Sequence, residues 1–449
     1  MKRIKAKYKV HGGVHPRYNK TLTCNLPITE MPLPSVLRIS MAQHLGAPAK
    51  PIVAKGDTVL RGQLIGEPAG FISTAVHAPV SGTIKTIAQM PTATGMIASC
   101  VEIESDGEDR WIDEITGRND WQSLDSKKLV SFVADAGIAG MGGAGFPTHV
   151  KLSPPENKPI DVLIINGAEC EPFLTADSRL MIEHAQEIWD GCRIIRHILG
   201  AKTVRIAIED NKPEAFAAME KALRNADGDV AMVMLKTEYP QGAEKQQIYA
   251  ITGREVPSGG LPMDVGCVVD NVGTAKAVYD AVVKGKPLVE RITTVTGPSI
   301  KSPGNIMARI GTSYSTLVDF CGGTSGRVSK VISGGPMMGF AVSSLEITTT
   351  KTTSGILVLP PEEISGFTSM PCIGCGRCVG ACPTYLMPCE LSQMLEAEDY
   401  ETAENNNVMD CIECGCCAFE CPARRPLVQH MRQGKGKIME KRRQEKEKN

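Results

Sequence analysis

The chain has 449 residues and a formal net charge of −1. That length suits about three domains, and the balanced charge argues against nucleic-acid binding. No stretch reaches the ~18 apolar residues of a membrane-spanning helix, and the start, Met1-Lys2-Arg3, lacks the apolar core of a secretory signal.

Residues 1–112 are rich in Gly and Pro and carry short β-type runs. Ile52–Val59 continues through Gly62–Gly66, and Val76–Ile84 follows. Their alternation around Gly-Asp and Ser-Gly turns predicts compact β structure. The pair is similar to the two halves of a biotinyl/lipoyl-type barrel sandwich. In a carrier domain a modified lysine sits on the turn between the halves. Here Gly70–Ala75 occupies that turn and contains no lysine, so a structural or docking module is expected rather than a swinging arm.

From residue 113 to 290 strands alternate with helices. Val162–Ile165, Val204–Ile208 and Val230–Leu235 read as buried strands. Ser178–Leu199 reads as one long amphipathic helix and Pro213–Leu223 as another, so the segment predicts a layered α/β domain. It opens with Gly137–Thr148, which has five glycines in nine residues. Gly140, Gly142 and Gly145 match G-x-G-x-x-G, but the preceding Leu129–Ala136 looks helical and Pro147 follows at once. This is therefore not the strand–turn–helix of a dinucleotide fingerprint. Without Cβ atoms the loop still allows a flat or phosphorylated ligand to approach the backbone. Three more polar or glycine-rich loops follow predicted strands: Asn166–Pro172, Tyr239–Glu244 and Asp270–Thr274. Loops at the carboxyl ends of parallel strands are where α/β ligands bind, and a helix start such as Asp270–Thr274 suits a phosphate.

Residues 291–366 return to short strands and Gly-rich turns, as in a small β-grasp-like unit. Two copies of C-x2-C-x2-C-x3-C-P then follow: Cys372, Cys375, Cys378 and Cys382, then Cys411, Cys414, Cys417 and Cys421. This is the spacing of paired [4Fe–4S] clusters, in which the fourth cysteine of each run serves the other cluster. Cys372, Cys375, Cys378 and Cys421 are expected on one cube, and Cys411, Cys414, Cys417 and Cys382 on the other. Structural zinc, which favours paired C-x2-C knuckles, fits the repeat poorly. Cys389 and Cys416 fall outside it and read as free thiols. Cys24, Cys100, Cys170, Cys192, Cys267 and Cys321 read as buried small hydrophobes. Between the runs, Leu386, Leu391, Met394, Leu395 and Ala403 favour an α-helical ferredoxin over a β-type one with an insert. The basic tail at the end of the chain reads as a solvated helix or disordered end, with attraction to an anionic membrane as a second reading.

Taken in order, Gly-x-Gly-Gly-Ala-Gly-Phe-Pro-Thr, Asn-x-x-Glu-x-Glu-Pro, Tyr-x-x-Gly-x-Glu and Asn-Val-x-Thr resemble the FMN- and NADH-binding subunit of respiratory complex I. With His11-Gly12-Gly13-Val14-His15-Pro16 and the two C-terminal clusters, the chain resembles the C subunit of the Rnf (ion-translocating ferredoxin:NAD⁺ oxidoreductase) complexes over residues 8–430. The resemblance implies an α/β multi-domain fold. Its parts would be an unmodified N-terminal β barrel-sandwich hybrid at 1–112 and a Rossmann-like FMN/NADH domain at 113–290. A β-grasp-like (SLBB-type) domain at 291–366, an α-helical two-cluster ferredoxin domain at 367–430 and a basic tail at 431–449 would follow.

By the same resemblance, Gly140, Gly142 and Gly143, with Gly145 in the same loop, would pack against flavin and nicotinamide. Lys151 would lie near the flavin and its phosphate side. Asn166 and Glu169 would contact flavin, and Glu171 would stand on the dinucleotide side. Tyr239, Gly242 and Glu244 would line the flavin and nicotinamide, and Asn271 and Thr274 the flavin phosphate. Ala168, Ala243 and Asp270 depart from the complex I pattern, which puts details of flavin hydrogen bonding in question. His11 and His15 read as turn or packing residues.

The implied chemistry passes electrons among NAD(H), noncovalent FMN and two [4Fe–4S] clusters, with no side chain acting as acid or base on the substrate. The implied partners are membrane subunits and an iron–sulfur subunit of the same complex, with ferredoxin indirectly and no nucleic acid. The implied location is the cytoplasmic face of the bacterial inner membrane, as a peripheral protein. Two alternatives stand beside this reading. One is a soluble flavo-iron–sulfur cobalamin reductase, against which the block 1–112 argues. The other is a flavin-free iron–sulfur relay.

Overall fold

A computed structural model describes residues 2–113, 115–368 and 370–448. At its centre is a five-stranded parallel sheet. Val162–Gly167, Thr203–Glu209 and Asp229–Leu235 run side by side, with Lys2–Lys5 at the far edge and Cys267–Asn271 on the opposite flank. Alternate residues feed two cores. Leu163, Ile165, Val204 and Ile206 pack on one face against Leu180, Ile188 and neighbouring helical residues. Val162, Ile164, Val233 and Leu235 pack on the other against Ile248 and Ile251. Burial of each such side chain contributes roughly 1.5–3 kcal/mol. A one-residue slip would exchange the two faces, so the register is well determined.

This topology creates a crevice. From Val162–Gly167 the chain builds outward to one side, then returns to add Cys267–Asn271 on the other. The loops leaving these two neighbouring strands diverge at their carboxyl ends, the position at which open parallel sheets hold ligands.

Three further units surround the sheet. The barrel sandwich pairs a four-stranded sheet, built on Val36–Ser40, Gly82–Pro91 and Ile97–Ser105, with a three-stranded one around Leu64–Glu67. A mixed sheet containing Glu290–Thr296, Gly304–Arg309, Lys330–Ser333 and Gly355–Leu359 carries the helix Tyr314–Phe320, as expected of a β-grasp-like unit. The cysteine-rich unit is helical, with Pro388–Glu396, Tyr400–Asn405 and Leu427–Lys448 sharing a small core that includes Leu391, Leu395, Ala403 and Met431. The last of these helices runs through residue 431 without a break. Arg432 and Lys435 bind Glu413, so the start of the basic tail is anchored to the cluster unit.

The first thirty residues are shared among the units. Lys2–Lys5 joins the parallel sheet, Val14 pairs with Tyr239, and Ile28–Glu30 extends the β-grasp sheet. The segment read as one helix, Ser178–Leu199, forms two: Ala176–Glu183 and Ala185–Leu199. The break is at His184, whose backbone leaves the helical region (φ −126, ψ 31) and whose ring turns to Glu187 at 3.0 Å. Of the six scattered cysteines, five are buried; Cys24 is half-exposed in the turn after Lys20–Leu22, with its thiol on Asn25.

Candidate cofactor site

The glycine-rich loop follows the helix Ser126–Asp135 and leads into the short helix Thr148–Lys151. Gly140 N–H donates to the Phe146 carbonyl (2.9 Å), closing the loop into a hairpin whose tip, Gly142–Ala144, is exposed above the crevice. Its floor is fixed from below. Met141 N–H donates to the Thr274 hydroxyl (3.0 Å), and a Cβ on Gly142 would stand 2.6 Å from Asn271 Nδ2. Gly145 has φ +71, and a Cβ there would meet Thr352 at 2.6 Å. Gly143 is different: a Cβ there would meet nothing within 4 Å.

The crevice below is polar. Lys151 donates to Glu244 (2.9 Å) and to the Val269 carbonyl (2.6 Å), with Asp270 at 4.0 Å. Burial opposes the Lys151 ammonium, but Glu244 and Asp270 outweigh it and raise its pKa. Asp270 is buried and its Oδ2 has no partner. Burial pushes this carboxyl up to about 6, against the pull of Lys151. Asn166 ties the loops together, donating to the Gly242 carbonyl (2.9 Å) and accepting from Gln247 (2.7 Å). Gly242 N–H donates to the Cys170 sulfur (3.3 Å). Asn271 caps its helix through Gly273 N–H (2.7 Å) and donates to Asp177 (2.6 Å).

The two acids of the Asn166–Pro172 loop face different ways. Glu169 accepts from the amides of Asp177 (2.8 Å) and Ser178 (3.3 Å), at the start of a helix where the macrodipole favours an anion. Glu171 accepts from Met337 N–H (3.1 Å) and Met338 N–H (2.8 Å), holding the β-grasp unit. Burial pushes the Glu171 carboxyl up to about 7. Tyr239, fully buried, stands beside it at 3.5 Å and donates to the Cys414 carbonyl (2.7 Å).

That last bond connects the crevice to the cysteines. Gln246 donates to the Pro383 carbonyl (3.1 Å), and Gly13 N–H to the Ala381 carbonyl (3.0 Å). His11 stacks on Tyr385 with ring centroids 4.1 Å apart. His-Gly-Gly-Val-His-Pro is thus a packing strap between units. The eight repeat cysteines line two cavities. One is lined by Cys382, Cys411, Cys414 and Cys417, the other by Cys372, Cys375, Cys378 and Cys421. The fourth cysteine of each run crosses to the other cavity. Among the described residues, no three His, Cys, Asp or Glu side chains converge tightly enough for a single ion. Thiols spread around a chamber fit a cubane and not zinc. Cys389 lines the second chamber, and Cys416 is buried with its thiol toward the Tyr239 carbonyl (3.9 Å). Burial pushes the Cys411 thiol up to about 11, so loading a cluster must displace its proton.

Three structural lysines carry no signal in the sequence. Lys20 donates to the carbonyls of Glu169 (2.8 Å), Glu171 (2.9 Å) and Leu174 (2.6 Å), shaping the acid-bearing loop. Lys212 donates to the Ala168 carbonyl (2.7 Å) and pairs with buried Glu209. Lys351, only 1% exposed, joins three units through Thr74 (3.2 Å), the Ala75 carbonyl and the Gly137 carbonyl (both 2.6 Å). No local pattern marks these positions.

A crevice at the switch point of a parallel sheet, joined through hydrogen bonds to the first of two thiol-lined chambers, defines a multi-centre redox protein. Residues 133–280 match the Nuo51 FMN-binding domain and residues 367–422 a 4Fe-4S dicluster domain. Residues 8–108 match the RnfC barrel sandwich hybrid domain and residues 292–341 the SLBB domain. The chain is 49% identical over 422 residues to the C subunit of the proton-translocating ferredoxin:NAD(+) oxidoreductase complex of Clostridium ljungdahlii, covering 94% of this chain and 92% of that one. It is 46% identical to the Na(+)-translocating counterpart of Acetobacterium woodii, covering 96% and 97%. With the C subunit of the ion-translocating oxidoreductase complex of Rhodobacter capsulatus the identity is 43%, covering 97% and 84%. The chain belongs to the family of C subunits of ion-translocating ferredoxin:NAD(+) oxidoreductase complexes.

Proposed function

We propose that this chain is the NAD-linked electron-transfer subunit of such a complex, passing electrons between NAD(H), FMN and two [4Fe–4S] clusters. One observation carries the reading. Buried Tyr239, which belongs to a crevice loop, hydrogen-bonds the backbone of Cys414 in the first thiol-lined chamber. FMN, when bound, supplies the exchange between paired and single electrons.

The chain's own residues supply geometry. Gly142–Ala144 offer a bare backbone face, and Lys151 and Glu244 flank the crevice. Asn166 and Gly242 hold the loops together, while Asn271 and Thr274 lock the glycine hairpin to the helix below. The unpartnered Asp270 oxygen and the open space at Gly143 fit a ligand in this crevice. Cys382, Cys411, Cys414 and Cys417 would hold one cluster, and Cys372, Cys375, Cys378 and Cys421 the other.

No described helix is long and apolar enough to cross a membrane. Peripheral attachment on the cytoplasmic face, through the other subunits, accords with this. The test is NADH-dependent reduction of ferricyanide by the purified protein, stripped of flavin and assayed with and without added FMN. Turnover that requires added FMN is expected; an NADH-inert protein that binds no flavin would leave the flavin-free relay as the answer.

A further inference from the structure

Resting on that reading, we infer that the surface around Phe367, Met370 and Ile373 is where a redox subunit of the same assembly docks to exchange electrons with the second cluster. The two chambers stand in unequal surroundings. The first is tied to the rest of the chain: Tyr239 bonds Cys414, Gln246 bonds Pro383, Ser258 bonds Asp410 (2.6 Å), and Gly415 abuts the Met337 carbonyl. The second faces outward. Cys375 is exposed, and beside it Phe367 is 53%, Met370 60% and Ile373 67% exposed.

These apolar residues sit on an anchored segment. Thr368 donates to the carbonyls of Arg424 (3.0 Å) and Ala423 (2.7 Å), and Arg425 donates to the Met370 carbonyl (3.0 Å). These bonds fix the backbone at Thr368 and Met370, and exposed apolar residues brought together on one surface mark interaction sites. Glu396, the acid beside Arg425, is taken up in an ion pair with it. Residues 364–389 and 421–439 contain no Asp or Glu, while Arg377 and Arg424 are exposed there. Electron tunnelling weakens steeply with distance, so a partner must bring its own redox centre against this face. The matching surface is apolar with a carboxylate rim, because complementary charge steers encounter and sets register.

The test introduces Phe367→Glu and Met370→Glu into the full chain, expressed with the remaining subunits of its complex. Iron content and NADH-driven ferricyanide reduction should stay at wild-type level, while co-elution of the other subunits falls at least tenfold. Met96→Glu, on an exposed hairpin of the barrel sandwich, should co-elute normally. Wild-type co-elution of both Glu variants, or loss confined to Met96→Glu, would overturn the docking face. If a Glu variant loses iron, Phe367→Ser and Met370→Ser decide by the same measurement: a loss of threefold or more supports the face and no loss rejects it. An NADH-inert wild type would instead count against the function itself, leaving the co-elution result to stand alone.

Discussion

Gly142 and Gly143 are neighbours with different reasons to lack a side chain. At Gly142 the reason is internal, since Asn271 already fills the space. At Gly143 nothing in the protein does, and the proposed function assigns that open space to the ligand. Gly143→Ala should leave the melting temperature within a degree or two of wild type. It should raise the KM for NADH or lower flavin occupancy severalfold, read by steady-state kinetics and flavin absorbance. Asp270 supports a pH prediction. Its carboxyl rises to about 6 from 3.8 through burial, so the folded state holds the proton more tightly. The resulting destabilisation is complete above pH 6 and vanishes toward pH 4. Asp270→Asn should therefore stabilise the protein by about 1–3 kcal/mol at pH 8, with the gain fading in melts at pH 5 and below. The cysteines were legible at this scale because a cubane dictates thiol spacing whatever the fold. Lys20 and Lys351 were not, because each serves carbonyls far away in sequence.

At the scale of elements, alternation located the strands and apolar spacing the helices. The loop contacts that make a crevice from them have no period to read. The helices Ala185–Leu199 and Val272–Lys284 cross where Gly191 touches the Ala275 carbonyl, so closely that no Cβ fits between them. This crossing sets the height of Thr274, which in turn holds Met141 and the glycine hairpin. Gly191→Ala should destabilise the protein by roughly 1–3 kcal/mol through overpacking, measured by denaturant unfolding. Flavin should be lost before iron, because the displaced helix supports the hairpin and not the cysteine chambers. Glu169 was legible in two ways, as a flavin contact or as an acid at the helix start before Ser178, and its carboxylate binds the amides of that helix start.

Across the whole molecule, the units were legible in order but their stitching was not. The first thirty residues join two sheets and the strap beside the first cluster, which only the folded chain displays. Tyr239 is the narrowest link between crevice and cluster. Tyr239→Phe leaves the buried Cys414 carbonyl without its donor, a cost of about 1–3 kcal/mol. NADH should still bleach the flavin at the wild-type rate while cluster reduction slows, resolved by stopped-flow absorbance. The coupling of the two sites is tested most directly by anaerobic titration of the reconstituted protein with NADH, followed by EPR. Electron flow through both sites predicts about eight irons and one FMN per chain, with both clusters' signals growing as NADH is added. Flavin that is bleached while every cluster stays oxidised at excess NADH, with a low-potential chemical reductant still able to reduce the clusters, would contradict it.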